Sequence, residues 1–338
     1  MGKKIKYNYF TCDNNKLIKS LEKDRLCEMM RQMVMIRHFE MRAESAYQQA
    51  KIGGYFHAYI GQEAIQTAAV AAMGVENWWI TTYRCHALAL LTGATPKECM
   101  AELYGKVTGC AQGRGGSMHL YTDHLLGGFG IVGGHLPIAV GAAFSAKYQG
   151  TGKVAVCFLG DGAFVQGAVH ESLNLASLWN LPVIFVIENN QWGMGTPVQR
   201  AICHEPIAES FAPAYNMKGY TFDGMDVLNC YAGFKEVYEE VKRTQRPVLI
   251  EAITERFKGH SISDPGLYRS KEELERAKAR DPLLLFKNEL EKAHLLDEAT
   301  YQKISEEEKE IVLDAMKFAD ESPYPDISTL EEGVYAGD

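Results

Sequence analysis

One stretch, Val154 to Trp192 (VAVCFLGDGAFVQGAVHESLNLASLWNLPVIFVIENNQW), restricts the fold more than any other part of the chain. An unbroken apolar run, Val154 to Leu159, stops at Gly160-Asp161-Gly162. Val169, Leu173, Leu175, Ala176 and Trp179 then recur at helical spacing until Asn180-Leu181-Pro182 breaks the pattern. A second apolar run, Val183 to Ile187, ends at Glu188-Asn189-Asn190. A strand, helix and strand of this length make a right-handed crossover between parallel strands. Both polar clusters then lie at the carboxyl ends of their strands, on the edge where open α/β sheets take ligands. The spacing predicts that Asp161 and Asn190 are neighbours in space.

Composition narrows the class of protein. A chain of 338 residues, 46% of them hydrophobic, can bury one large core or two medium ones. A net charge of -8 argues against nucleic acid or an anionic membrane as the main partner. The eight cysteines show no CxxC pair and no framework spacing, so they read as small core residues of a reducing, cytoplasmic setting. The basic amino terminus lacks the apolar core of a signal peptide, and Lys6 stands where a myristoylation motif needs Ser or Thr. The longest uncharged run, Leu125 to Ala146, holds a proline and several glycines, which argues against a membrane span.

Along the chain, residues 1–20 read as a tail, 21–270 as the main domain, 271–320 as a charged helical extension and 321–338 as an acidic arm. Leu21 to Gln49 is a Met-rich helix, and Ala64 to Ala72 a second. Trp78 to Thr82 is a short strand running directly into Tyr83-Arg84-Cys85-His86. Thr95 to Glu98 and Ser270 to Glu273 are capping boxes that start helices. Cys110 to His119 and Leu126 to Gly134 read as glycine-rich loops, Arg200 to Asn216 as irregular, and Pro247 to Thr254 as a third buried strand. The polar stretch Glu255 to Ser270 is too long to be a mere connector.

Two glycine patterns compete as phosphate sites. Gly128 to Gly133 satisfies GxGxxG, but it reads as following a loop and has no acid about twenty residues on, so a chance match is the better reading. The Asp161/Asn190 pair is more specific. A magnesium ion with a bound diphosphate takes one or two carboxylates, a few neutral oxygens and the phosphates themselves. Asp161 offers the carboxylate, Asn190 an amide oxygen, and a carbonyl near Trp192 a third donor. Gly160 and Gly162 let backbone approach phosphate, and the helix that follows aims its amino-terminal dipole there. Gly160-Asp161-Gly162 alone would favour an ordinary turn; the Asn pair, with 26 residues between Gly162 and Asn189, reverses that.

That spacing resembles the diphosphate- and metal-binding motif of thiamine-diphosphate enzymes. The flanking segments HAYIGQEA (57–64), TTYRCHA (81–87), GRGGSMH (113–119), GFGIVGG (128–134), GDGAFVQG (160–167), ENNQWGMGTPV (188–198) and FKGHSISDPGLYR (257–269) narrow it. Together they resemble the alpha subunit of the dehydrogenase component of 2-oxoacid dehydrogenase complexes, with the pyruvate branch nearest. The resemblance implies a three-layer α/β/α fold with a mostly parallel sheet and a helical carboxyl-terminal extension. It implies that Asp161, Asn190 and the Trp192 carbonyl hold Mg²⁺, and that Tyr83, Arg84 and Arg256 meet the diphosphate. Gly130 and Val132 would meet the aminopyrimidine, Gly162 and Ala163 would line the phosphate turn, and His57 and His260 would face the reacting centre. His86, His119 and His135 stay unassigned.

For the substrate, Gln166 matches a glutamine of the pyruvate pattern, Glu188 fits the same branch, and Tyr55-Phe56 would crowd the pocket toward a small acyl group. Ser261 matches the first of two regulatory serines, but Tyr268 directly follows Leu267, so the second is missing and kinase control is not expected. The glutamate that activates the cofactor's ring comes from a beta subunit in this family, so two alpha and two beta chains are expected, inactive apart. They would dock on a lipoyl-bearing dihydrolipoamide acetyltransferase. Acetoin and branched-chain 2-oxoacids are the alternative substrates; a nicotinamide enzyme built on Gly128 to Gly133, or a non-catalytic scaffold, are the rivals from other classes.

Overall fold

The computed structural model describes residues 5–335. Its main sheet is six-stranded, with β1 (Trp78–Thr82), β2 (Leu125–Phe129), β3 (Ala155–Gly160) and β4 (Val183–Asn189). A small antiparallel hairpin follows, β5 (Trp192–Gly193) with β6 (Thr196–Pro197), and β7 (Lys218–Asp223) and β8 (Val248–Ile253) complete the sheet. The spatial order is β2-β1-β3-β4-β8-β7, and every pairing in this sheet is parallel.

The helices are α1 (Asn14–Ser20), α2 (Lys23–Gln48), α3 (Glu63–Met73), α4 (His86–Leu91), α5 (Pro96–Leu103), α6 (Leu136–Gln149) and α7 (Asp161–Phe164). Next come α8 (Gly167–Leu178), α9 (Val198–Ala201), α10 (Ile207–Phe211), α11 (Val227–Thr244), α12 (Lys271–Lys278), α13 (Pro282–Lys292) and α14 (Glu298–Glu321).

Period-two alternation divides the strand side chains between two cores. Val156 and Phe158 of β3, with Ile184 and Val186 of β4, enter a core shared with α2, α3, α11 and α14. Ala155, Cys157 and Leu159, with Val183, Phe185 and Ile187, enter a second core under α6 and α8. Both faces are covered, as the uniformly apolar strands require. This is the expected three-layer α/β/α architecture. In register, Gly160 pairs with Glu188, so Asp161 and Asn190 emerge side by side from adjacent strand ends.

Several local expectations fail for identifiable reasons. Leu126 to Gly134 is not all loop, because Leu125–Phe129 is an edge strand whose Gly-Gly conceals it in the sequence. A Cβ on Gly128 would lie 2.6 Å from Cys85 Sγ, so close packing requires the glycine. The GxGxxG segment therefore does leave a strand and lead to a helix, contrary to the first reading. The helix after Gly160 is also split: α7 is one short turn, and the long amphipathic helix α8 begins only at Gly167. Arg200 to Asn216 is built of short helical turns. Within residues 1–20, Tyr9 bridges β7 at Thr221 and α1 is capped by Asp13. The acidic arm lies back on the body: Val107 N–H bonds the Pro323 carbonyl, and Lys106 Nζ sits 3.6 Å above the Tyr324 ring. Its last residues, 336–338, lie outside the described region.

Candidate active site

A cavity of about 740 Å³ opens at the carboxyl edge of the sheet. The strand ends, the turn after β1, the β2–α6 connection and the segment after β8 all contribute to its wall. Tyr55, His57, Tyr83, Arg84, Gly130, Val132, Asp161, Gly162, Ala163, Asn190, Trp192, Arg256 and His260 all line it. Two expected wall residues do not. Phe56 is fully buried, stacked on His86 and against Tyr47, because the extended backbone turns alternate side chains of 55–57 away from the cavity. Gln166 caps α8 outside the lining, packed against Gly133. Tyr55 remains at the mouth, 63% exposed. Gln62, Met118, Phe129 and Met194 line the cavity without having been singled out, and Ser261 joins them; only the fold brings these segments together.

At one end the polar groups are unbalanced. Asp161 is buried, and burial pushes its carboxyl up to about 6 against the opposing pull of Arg256. Among the described residues it has no ion-pair partner. Asn190 donates Nδ2–H to Gln62 Oε1 at 3.1 Å, which fixes its amide and leaves the oxygen on the other side. Gly162 and Gly193 pack so closely that a Cβ on Gly162 would sit 3.1 Å from Gly193 Cα.

Facing these are two buried guanidinium groups with no carboxylate partner among the described residues. Arg84 donates to the Ala58 carbonyl at 2.7 Å and to that of His260. Arg256, 1% exposed, donates to His260 Nδ1 at 3.0 Å and to Tyr268 Oη at 3.2 Å, while its Nε has no partner. Burial and then Arg84 depress Arg256 to about 10. A buried cation pair and a buried acid, each lacking its counterion, suit an anion bridged to a cation.

Among the described residues no group of three His, Cys, Asp or Glu side chains could hold a metal. One carboxylate with neutral oxygens is instead the donor set of a magnesium ion that shares its shell with phosphates. The residues present therefore fit magnesium diphosphate, with Asp161, Asn190 and the Trp192 carbonyl as donors and Arg84, Arg256 and Tyr83 toward the phosphates.

The other end carries the histidines. The His57 ring lies 4.3 Å from Tyr83 and 5.1 Å from His260, centroid to centroid, and its Nδ1 is buried without a partner. Burial, then Arg84 and His260, hold its pKa far below the usual value. Burial, then Arg84 and Arg256, lower His260 to about 4. Both rings are neutral near pH 7 and can accept protons. Asp264 takes the His260 N–H, the Gly266 N–H and the Tyr268 hydroxyl, and Tyr268 packs on Trp192 at 5.0 Å. The tyrosine that follows Leu267 thus ties the 257–270 loop to the β5–β6 hairpin. His135 donates Nε2–H to the Phe158 carbonyl, 2.8 Å away, which sets its tautomer.

The other glycine-rich loop is occupied from within. Glu102 of α5, wholly buried, accepts backbone N–H groups from Ala111, Gly113, Gly115 and Gly116 at 2.7–3.1 Å. Its carboxylate fills the anion nest that such a loop forms.

Residues 31–328 match the family described as dehydrogenase E1 component. The chain belongs to that family. It is 42% identical over 315 residues to the pyruvate dehydrogenase E1 component subunit alpha of Rickettsia felis, covering 93% of this chain and 96% of that one. The protein of the same name from Rhizobium meliloti is 40% identical, with 89% and 87% covered. The chloroplastic alpha-3 subunit of Arabidopsis thaliana is also 40% identical, with 94% and 76% covered. Family membership excludes the nicotinamide reading of Gly128 to Gly133, whose residues serve instead as cavity wall.

Proposed function

We propose that this chain is the alpha subunit of a thiamine-diphosphate- and Mg²⁺-dependent pyruvate dehydrogenase. It pairs with a beta subunit and passes the acetyl group to the lipoyl group of a dihydrolipoamide acetyltransferase. The observation that carries this reading is the charge imbalance of the cavity: Asp161 lacks a cation, while Arg84 and Arg256 lack an anion. The names of the relatives support pyruvate over acetoin or a branched-chain oxoacid.

When bound, thiamine diphosphate supplies the electron sink for decarboxylation of a 2-oxoacid. The chain's own residues do the rest on this side of the site. Asp161 and Asn190 hold the metal, Arg84 and Arg256 neutralise the phosphates, and Gly130 and Val132 offer backbone groups to the ring. His57 and His260, neutral and within reach of each other, accept and return protons at their ring nitrogens. Tyr55 restricts the mouth. With Phe56 in the core and Gln166 beside Gly133, pocket crowding rests on Tyr55, so the small-substrate argument is weaker on this chain alone. In this reading residues 21–270 form the cofactor domain and 271–320 its helical extension.

A beta subunit has a surface to cover. Phe144, Tyr148 and Trp179 form an exposed aromatic cluster, with Phe144 5.7 Å from Trp179 and stacked on Tyr148, and Ile138 extends it along α6. A patch of this kind marks a protein interface. No helix among the described residues is long and apolar enough to cross a membrane, and all eight cysteines are free, which fits a reducing cytoplasm. The test is turnover of pyruvate, acetoin and a branched-chain 2-oxoacid by the assembled alpha–beta enzyme. A higher kcat/KM for pyruvate is expected; preference for a branched acid overturns the assignment, and absence of thiamine diphosphate binding overturns the cofactor.

A further inference from the structure

His86 opens α4, two residues beyond Arg84, and its side chain is completely buried. Each ring nitrogen faces an oxygen: Nδ1 lies 3.0 Å from Glu40 Oε1, and Nε2 lies 2.7 Å from the Ser117 carbonyl. A carbonyl only accepts, so Nε2 carries a proton. Glu40 is equally buried, and its Oε2 has no partner. Burial opposes charge on the ring, but the attraction and hydrogen bond of Glu40, aided by Ser117, outweigh it and raise the pKa. With Nε2–H given to Ser117, Nδ1 and Glu40 Oε1 share a single hydrogen bond, and the two bonds together fix the plane and direction of the ring.

A buried polar pair of this kind is no better for stability than well-packed apolar side chains, because both groups leave water. What it supplies here is direction, since three separate segments of the cavity wall meet on the His86 ring. Phe56 stacks on it at 5.2 Å and 16°, immediately before His57. Ser117, which takes the Nε2 proton, gives its own hydroxyl to the Tyr55 carbonyl and precedes Met118. Tyr83 and Arg84 lie just before it in the chain. Glu40 aims the ring from the middle of the 26-residue helix α2.

We propose that His86, held between Glu40 and the Ser117 carbonyl, is the positioning residue of the reacting end of the cavity. It sets Tyr55, His57 and Met118 against the bound 2-oxoacid and leaves the metal end to Asp161, Asn190 and Arg256. The proposal rests on the function argued above. Glu40→Leu tests it, because a leucine of similar size can neither accept from His86 Nδ1 nor donate to it, so the ring keeps only its bond to the Ser117 carbonyl.

In the assembled alpha–beta enzyme, Glu40→Leu and His86→Leu should each raise KM for the 2-oxoacid about ten-fold, the scale of a small misplacement of reacting groups. The dissociation constant of thiamine diphosphate with Mg²⁺ should stay within about two-fold, and Glu40→Gln, whose amide can still bond Nδ1, should recover most of the loss. Unchanged KM overturns the proposal. So does a parallel loss of cofactor affinity and KM, the mark of a merely structural pair. Failure of the wild-type enzyme to bind thiamine diphosphate would instead indict the assigned function. Should the variants fail to assemble, neutron diffraction of the wild-type complex decides: deuterium on His86 Nε2 toward Ser117 and one between Nδ1 and Glu40 are expected, and a ring that lacks either bond refutes it.

Discussion

The glycine-rich loop of residues 109–119 and the turn at Gly160–Gly162 offer the same raw materials: glycines, exposed backbone N–H groups and a nearby acid. Their polar balance is opposite. In the loop, one carboxylate meets four N–H donors, and nothing is left for a ligand. At the turn, among the described residues, Asp161 pairs with no cation, Arg84 and Arg256 pair with no carboxylate, and Arg256 Nε has no partner. The first region spends its chemistry on the fold, whereas the second holds it in reserve. Glycine content alone does not identify a phosphate site; unmatched charge does.

Replacing the charge in each region should therefore have different consequences. Asp161→Ala and Asn190→Ala should each remove Mg²⁺-dependent binding of thiamine diphosphate, with an affinity loss beyond the roughly 100-fold that outer-shell partners of a metal cost. Assembly with the beta subunit and the thermal midpoint of the apo chain should persist. Isothermal titration with and without Mg²⁺ measures the first and size-exclusion the second. Full activity in both variants would favour a scaffold role and erase the contrast between the regions.

The site was legible in the sequence where neighbouring strands of a parallel sheet bring it together. Asp161 and Asn190 end adjacent strands, and pairing of Gly160 with Glu188 follows from the two apolar runs. Legibility fell where side-chain direction depends on packing. Phe56 turns inward because the His86 and Tyr47 rings give it faces to pack on, and Gln166 stays outside because it sits between the short turn α7 and the start of α8. Strand β2 was hidden by glycines that a neighbouring Cys85 requires. Glu102 drew no reading of its own; its signal was a lone acid near the end of an otherwise buried run, just before a glycine-rich segment. The Glu40–His86 pair joins residues 46 apart on different helices, beyond the reach of any local pattern.

The second contrast concerns stability. Glu102→Gln turns an NH₂ group toward two N–H donors, and leaving buried groups unmatched costs about 3 kcal/mol. Gly109→Ala should act in the same direction, since its Cβ would lie 2.3 Å from Glu102 Oε2. Gly162→Ala meets only Gly193 Cα, 3.1 Å away. It should change the apo thermal midpoint little but weaken cofactor binding. Thermal unfolding and cofactor titration of the three variants separate the regions, and equal destabilisation by Gly162→Ala would break the comparison.

The smallest expected effect lies in the pH dependence of apo stability. His260 ionises near 4 in the fold, against an ordinary value of 6.5, because of burial and then Arg84 and Arg256. Below pH 6.5 the unfolded chain binds a proton that the folded chain refuses, so this contribution is present above 6.5 and is lost as pH falls toward 4. Glu188 and Glu251, raised by burial to about 7, act in the opposite sense over much of the same range, so the total slope is not diagnostic. The difference between wild type and His260→Gln is. Between pH 6.5 and 4 the variant should lose close to one proton from the slope, about 1.4 kcal/mol per pH unit. Denaturant unfolding at several pH values measures this difference, and an unchanged slope in His260→Gln would refute the depressed ionisation of His260.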